Sequence, residues 1–125
     1  MIRSVSAIVL WTARPREVVA FYGALGLPLL AEQHEDGPPH WACEIAGVHF
    51  AIHEQDEGDS PPPEYQSAGA SLLGFEVDAL DAVYLAAKTV GARVLIRPEE
   101  VPWGRRAVVL DPDGRTVELN ETTVL

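Results

Sequence analysis

Two copies of one pattern, set at a constant spacing along the chain, constrain the fold of this protein more than any other feature. Gly26 and Gly91 each follow an apolar stretch with helical spacing. The segments 41–53 and 106–118 align without a gap at the same spacing as these two glycines. A constant spacing across several elements indicates a duplicated structural unit.

Each copy predicts a strand, a helix and three further strands. In the first copy, Pro15 suits the first helical position, and Gly26 suits the left-handed end of the helix. In the second copy, we expect Asp78 to cap the helix and Gly91 to end it. Short β-branched or apolar runs predict the strands, which are 6–11, 27–32, 41–45 and 48–53 in the first copy and 71–77, 93–97, 105–110 and 116–120 in the second.

The segment 54–69 separates the two copies. It has no apolar periodicity, it contains five acidic residues, and its three consecutive prolines deny backbone donors to a sheet. We therefore expect a single domain made of a first βαβββ module at 1–53, a linker at 54–69 and a second module at 70–125. The predicted class is α+β, with two tandem modules whose curled mixed sheets surround a shared cavity and whose helices lie outside.

Composition narrows the classes of partner and compartment. The 125 residues include 9 Lys and Arg against 19 Asp and Glu, a formal charge of −10 that disfavours nucleic acid as a partner. The single cysteine excludes an intrachain disulfide. We find neither the apolar core of a signal peptide nor the roughly 20 apolar residues of a membrane span. We expect a soluble, cytoplasmic protein that binds a small molecule and contacts neither nucleic acid nor membrane.

Three motifs resemble one known superfamily. The segments 21–27 (FYGALGL), 74–81 (GFEVDALD) and 111–119 (DPDGRTVEL) are similar to those of the vicinal oxygen chelate superfamily. That superfamily includes glyoxalase I, extradiol dioxygenases, fosfomycin-resistance transferases and bleomycin-resistance proteins. The resemblance implies paired βαβββ modules and commonly a homodimer, but the fold hosts many reactions and does not select one.

The resemblance also implies four metal-ligand positions, which here are Ala7, His53, Leu72 and Glu118. Two of these side chains have no lone pair, whereas a catalytic metal normally takes at least three protein ligands. We therefore favour a protein without metal or other cofactor, in which His53 is a cavity histidine hydrogen-bonded to Glu118. The alternative is a metal-dependent lyase, isomerase or dioxygenase that holds Fe, Mn, Ni or Zn through His53 and Glu118, with His49 and Glu76 as substitute ligands.

The cavity-facing positions predict a ligand site instead of a reaction. Strand alternation places Trp11 and Glu76 on the cavity face together with His53 and Glu118, and Trp103 is a further candidate for the same pocket. An aromatic surface beside carboxylates suits a flat or cationic organic molecule, and the set resembles the metal-free, drug-sequestering branch of the superfamily.

Structural roles are the competing interpretation of the same residues. Trp11 can be core packing, Trp103 can belong to an ordinary loop, and Glu76 can point to solvent at the sheet end. An interaction module without a small-molecule ligand is a third hypothesis. We assign no catalytic residue, and we expect His34 and His40 to be solvated in a loop and the Cys43 thiol to be a core group.

Overall fold

The computed structural model describes residues 1–33, 37, 39–55 and 70–123. The chain divides into two compact units, of which unit 1 comes mainly from the N-terminal half of the chain and unit 2 mainly from the C-terminal half. Each unit contains one helix and one four-stranded mixed sheet. The predicted α+β class with two βαβββ modules is confirmed. Most of the expected linker, residues 56–69, lies outside the described residues, and Glu54 is the last residue of a strand.

Unit 1 begins with strand β1 and helix α1. The Thr12 hydroxyl accepts a hydrogen bond from the Arg14 backbone N–H at 2.9 Å just before the helix, and Gly26 follows the helix with φ of 110°. The strand order is β1-β4-β3-β2, with β1 parallel to β4 and the other neighbours antiparallel. The elements are β1 (Ala7–Thr12), α1 (Pro15–Ala24), β2 (Leu30–Glu32), β3 (His40–Ile45) and β4 (Val48–Glu54).

The core of unit 1 lies between α1 and one face of the sheet. Phe21 and Tyr22 are fully buried on the helix, and the Tyr22 ring lies 5.3 Å from the ring of Phe50 on β4. Phe50 and Ile52 lie two residues apart on β4 and share one face, so His49, Ala51 and His53 belong to the opposite face. That opposite face is therefore the one on which unit 1 can present side chains to a ligand.

Unit 2 repeats this order of elements. The strand order is β5-β8-β7-β6, with β5 parallel to β8 and the other neighbours antiparallel. Phe75 and Leu119 are paired on the helix side of the sheet, where Leu119 is fully buried. The elements are β5 (Leu72–Glu76), α2 (Leu80–Thr89), β6 (Arg93–Val101), β7 (Gly104–Leu110) and β8 (Thr116–Thr122).

The predicted cap of α2 is wrong. The N-cap residue is Ala79, and neither it nor Asp78 provides a side-chain cap bond. The carboxylate of Glu121 on β8 instead accepts the hydrogen bond from the Leu80 backbone N–H at 2.7 Å. A sheet residue thus satisfies one of the donors that the first helical turn leaves unpaired.

A close approach between β7 and β8 requires glycine at the start of β7. Gly104 has φ of 145° and pairs with Thr122. A Cβ atom at this position would collide with the backbone carbonyl oxygen of Glu121. The residue can therefore be replaced only with a shift of the β8 backbone.

The strand ladders correct the gap-free alignment of the two copies. In unit 1, Trp11 lies opposite His53. In unit 2, Glu76, which holds the place of Trp11 in that alignment, lies opposite Asn120 and not opposite Glu118. The cause is the turn length, since positions 46–47 join β3 to β4 whereas positions 111–115 join β7 to β8. The sheet position of His53 is therefore occupied by Asn120 in the second copy.

Candidate functional site

A row of side chains crosses all four strands of unit 1 on the face opposite α1. The register places Trp11 on β1 beside His53 on β4, His53 beside His40 on β3, and His40 beside Glu32 on β2. We call these four residues the ring row. Two of them, Trp11 and His53, are among the predicted ligand-binding residues.

The ring row contains two stacked imidazoles, with a tilted indole at one end and a carboxylate at the other. The Trp11 and His53 ring centroids are 5.8 Å apart at an angle of 38°, and the His53 and His40 rings are stacked at 4.5 Å with 5° between their planes. The Nε2 atom of His40 lies 3.2 Å from Oε2 of Glu32, within hydrogen-bond distance. These contacts restrict the rotation of both imidazoles, so the arrangement exists before any ligand arrives.

The position of His40 corrects a prediction. We expected a solvated loop histidine, but His40 is the first residue of β3 and only 7% exposed. His34, expected in the same loop, lies outside the described residues. The neighbouring Gly37, Pro38 and Pro39 suggested a longer loop. Extending the strand alternation of Ala42 by two residues would have placed His40 on the face of the ring row.

An apolar strip borders the ring row on the same face. It contains Val9, Ala51, Ala42 and Leu30, each opposite the next across the sheet. Ala51 and Ala42 are buried, whereas Leu30 is 71% exposed at the edge strand. Only the two ends of this strip, Val9 and Leu30, therefore retain exposed apolar surface that an organic ligand could contact.

The equivalent row of unit 2 is polar. Glu76 lies opposite Asn120, Asn120 opposite Arg106, and Arg106 opposite Glu99. Both units therefore have a Glu on one outer strand facing a basic residue on the next, Glu32 with His40 and Glu99 with Arg106. The other two positions of the row have no residue type in common.

Glu118 is the centre of a hydrogen-bond network on this face. Its Oε1 accepts from the Asn120 side-chain amide at 2.9 Å and its Oε2 accepts from Nη1 of Arg106 at 3.2 Å. The indole Nε1 of Trp103 donates to Oδ1 of Asn120 at 2.9 Å, and Nε of Arg106 donates to Glu99 at 3.0 Å. We call these five residues the Arg106 network.

The carboxylates of Glu76, Glu99 and Glu118 are already partnered. The hydrogen bond from Arg106 to Glu99 and then the charge of Glu99, with smaller contributions from Glu118, raise the pKa of Arg106 against the cost of desolvation. Glu76 accepts from the Thr122 backbone N–H at 2.7 Å and from its hydroxyl at 2.8 Å. The sequence-predicted residues Trp103 and Glu118 thus meet through Asn120, while Glu76 is bonded to the end of β8.

The four metal-ligand positions that the family resemblance implies do not bring three metal-binding side chains together. The ladders place Ala7 opposite His49, His53 opposite Trp11, and Glu118 opposite Gly74. The substitute ligand His49 lies 3.7 Å from Glu44, at the other end of the strand from His53. Within residues 1–33, 37, 39–55 and 70–123, no three His, Cys, Asp or Glu side chains are grouped so that they could hold a metal ion.

Cys43 offers no activated nucleophile. It lies on β3 opposite Phe50 of β4, with its side chain on the α1 side of the sheet. Burial, and then the charge of Glu44, raises the pKa of the thiol above its usual 9.0. The thiol is therefore protonated at neutral pH, but Cys43 is only partly buried and is not one of the core residues that we expected it to join.

Among the described residues, neither α1 nor α2 combines the length and the apolar character needed to cross a bilayer.

Comparisons with known proteins agree on one fold. Residues 4–119 match the family model of the Glyoxalase/Bleomycin resistance protein/Dioxygenase superfamily. A glyoxalase/bleomycin resistance protein/dioxygenase family enzyme from Burkholderia phytofirmans PsJN is 18% identical, with 94% of this chain and 97% of that chain covered and a TM-score of 0.68. No curated protein matches the chain in sequence.

Two further solved structures are similar over nearly their whole length. TioX from Micromonospora sp. ML1 is 22% identical, with 96% of this chain and 99% of that chain covered and a TM-score of 0.69. TnmS3 from Streptomyces sp. CB03234, described as an antibiotic binding protein, is 25% identical, with 98% of each chain covered and a TM-score of 0.65.

Proposed function

The chain belongs to the Glyoxalase/Bleomycin resistance protein/Dioxygenase superfamily, and we propose that it sequesters a flat organic ligand without the help of a metal ion. Sequestration lowers the free concentration of the ligand, and no bond is made or broken. The observation that carries this proposal is the ring row of unit 1, in which Trp11, His53 and His40 lie side by side.

The ring row has the properties of a preorganised binding surface. The stacked imidazoles and the contact between His40 and Glu32 restrict side-chain rotation before binding, so less conformational entropy is lost when a ligand arrives. The aromatic rings can contribute dispersion contact to a flat molecule, and the accessible ends of the apolar strip, Val9 and Leu30, can add hydrophobic contact. Trp11, at the end of the row and not fully buried, is the residue best suited to touch the ligand.

The hydrogen bonds of Glu76 and Glu118 suggest that the protein recognises a ligand by its flat shape and not by a positive charge. We expected Glu76 and Glu118 to attract a cation. Glu76 accepts two hydrogen bonds from Thr122, and Glu118 accepts from Arg106 and Asn120. Because Arg106 also balances part of the negative charge, these carboxylates of unit 2 give little support for recognition of a cation.

The likeness to TnmS3 supports binding over catalysis. That protein is described as an antibiotic binding protein, and it resembles this chain over 98% of both lengths. The enzyme alternative has weaker support here, because the described residues contain no group of three His, Cys, Asp or Glu side chains that could hold a metal ion. We therefore derive no reaction step through a metal.

Ligand titration of two tryptophan variants tests the proposal. A panel of planar aromatic compounds is titrated by isothermal calorimetry, and a hit is repeated with Trp11→Ala. We expect affinity to fall by about 30-fold, the usual effect of removing a central tryptophan. Trp41→Phe is the matched control, because Trp41 lies opposite Ile52 on the α1 side of the same sheet. Unchanged affinity in Trp11→Ala, or no binding by any compound, would refute the proposal.

A further inference from the structure

We infer that Arg106 binds a neutral carbonyl oxygen on a flat aromatic ligand, with the Trp103 ring beside it. This inference goes beyond the proposed function: it concerns unit 2 alone, whereas the ring row lies on unit 1. Neither Arg106 nor any other basic residue except His53 is among the ligand-binding residues that the sequence predicts.

Arg106 retains hydrogen-bond donors after its internal contacts are made. A guanidinium carries five N–H groups. Nε donates to Glu99 and Nη1 donates to Glu118. Nη2 donates to no group within the described part of the chain. The side chain is 29% exposed, so solvent or a ligand can reach it.

The two carboxylates hold the guanidinium in place. Glu99 lies on β6 and Glu118 on β8, so they contact Arg106 from the strands on both sides of β7. Donors that are already oriented bind an acceptor with little loss of side-chain entropy. Fixed N–H groups on an accessible face are suited to a ligand oxygen.

The surrounding charge selects a neutral acceptor. Arg106 carries one positive charge, and Glu99 and Glu118 together carry two negative charges, so an anion would be repelled by the carboxylates next to its binding group. A carbonyl oxygen accepts hydrogen bonds without adding a charge. The ligand atom that fits Arg106 is therefore a ketone, ester or amide oxygen.

Trp103 supplies the aromatic part of the same surface. Its indole Nε1 is bonded to Asn120, which lies directly opposite Arg106 in the ladder. The residue is 40% exposed, so part of its ring is open to a ligand. An aromatic ketone can thus place its ring against the indole and its oxygen toward the guanidinium.

Four naphthalene compounds of similar size test this recognition by calorimetry. They are 2-acetylnaphthalene, 2-ethylnaphthalene, 2-naphthoate and 2-(aminomethyl)naphthalene. We expect the ketone to bind at least about 10-fold more tightly than the hydrocarbon, as one hydrogen bond from a charged donor allows. It should also bind more tightly than the acid and the amine. Binding should shift the NMR signal of the Trp103 indole N–H, assigned with Trp103→Phe.

Variants of two adjacent arginines identify the residue responsible. Arg106→Gln should abolish the preference for the ketone over the hydrocarbon. Arg105→Gln should preserve it, because Arg105 lies on the same strand but is bonded to Asp81 on α2. Arg106→Lys keeps the positive charge between Glu99 and Glu118 and should fold normally, yet it should reduce the preference because the planar donor fork is lost.

The outcomes separate this inference from the proposed function. Equal binding of ketone and hydrocarbon, tighter binding of the amine, or an unchanged ketone preference in Arg106→Gln would overturn the role of Arg106 alone. The proposed function, which depends on the ring row of unit 1 and is tested by Trp11→Ala, would then still stand. Failure of all four compounds and of the wider aromatic panel to bind would overturn both proposals.

Discussion

The Glu121 carboxylate accepts a hydrogen bond from the Leu80 backbone N–H at 2.7 Å and so joins the end of β8 to the first turn of α2. Removing this cap should destabilise the fold. We expect Glu121→Ala to lower the free energy of unfolding by about 1 kcal/mol, the usual contribution of a side-chain cap. Urea denaturation followed by circular dichroism measures it.

Asp78→Ala is the control for that experiment. Asp78 precedes the helix and matches the sequence preference for a cap, but no side-chain cap bond comes from it. We expect its unfolding free energy to change by less than about 0.5 kcal/mol. If Asp78→Ala lost more unfolding free energy than Glu121→Ala, the cap of α2 would be Asp78 and not Glu121.

The ion pair between Asp81 and Arg105 should make the stability of the fold depend on pH. The hydrogen bond from Arg105, which outweighs desolvation, and then its charge lower the pKa of Asp81 below its ordinary value of 3.8. A carboxyl whose pKa is lower in the folded state stabilises the fold above the unfolded pKa and loses that effect as pH falls through the folded pKa. In Arg105→Gln, the pKa of Asp81 should rise toward 3.8.

An NMR titration of the Asp81 side-chain carboxyl measures this change directly. The stability difference between wild type and Arg105→Gln should be present at neutral pH and should diminish on acidification below about pH 4. An identical titration curve for Asp81 in the two proteins would show that the ion pair does not form in solution.

Metal content is the prediction that separates binding from metal-dependent catalysis. We expect protein purified without chelators to contain no stoichiometric metal ion, and titration with manganese, iron(II), nickel or zinc to give no saturable binding at one ion per chain. The reason is the donor set, in which Ala7 and Leu72 replace two ligands and Glu118 is bonded to Arg106. One tightly held ion that is lost in His53→Ala would restore the enzyme hypothesis.

Local pattern predicted the elements of the fold well but could not predict the pairing between them. Alternation and helical spacing identified the strands and helices of the described chain, with ends that differ by a few residues. The register between β5 and β8 depends on the length of the turn before β8, which a constant spacing of the two copies cannot reveal. The cap of α2 was missed because Glu121 is far from Leu80 in the sequence.

The candidate site divides in the same way. Trp11 and His53 were found because each lies on a clear strand with period-two alternation. His40 was missed because two prolines and a glycine precede it, although the strand begins at that residue. The bond between Arg106 and Glu118 is a cross-strand contact, so it follows from the register and not from either strand alone.

The glycine at the start of β7 supports the polar face of unit 2. Gly104 brings the backbones of β7 and β8 together at the end far from the turn, where it lies opposite Thr122. A side chain at this position would displace β8 and with it the neighbouring pairs, Arg105 with Glu121 and Arg106 with Asn120. The hydrogen bonds among Arg106, Asn120 and Glu118 therefore depend on a residue that has no side chain of its own to contribute.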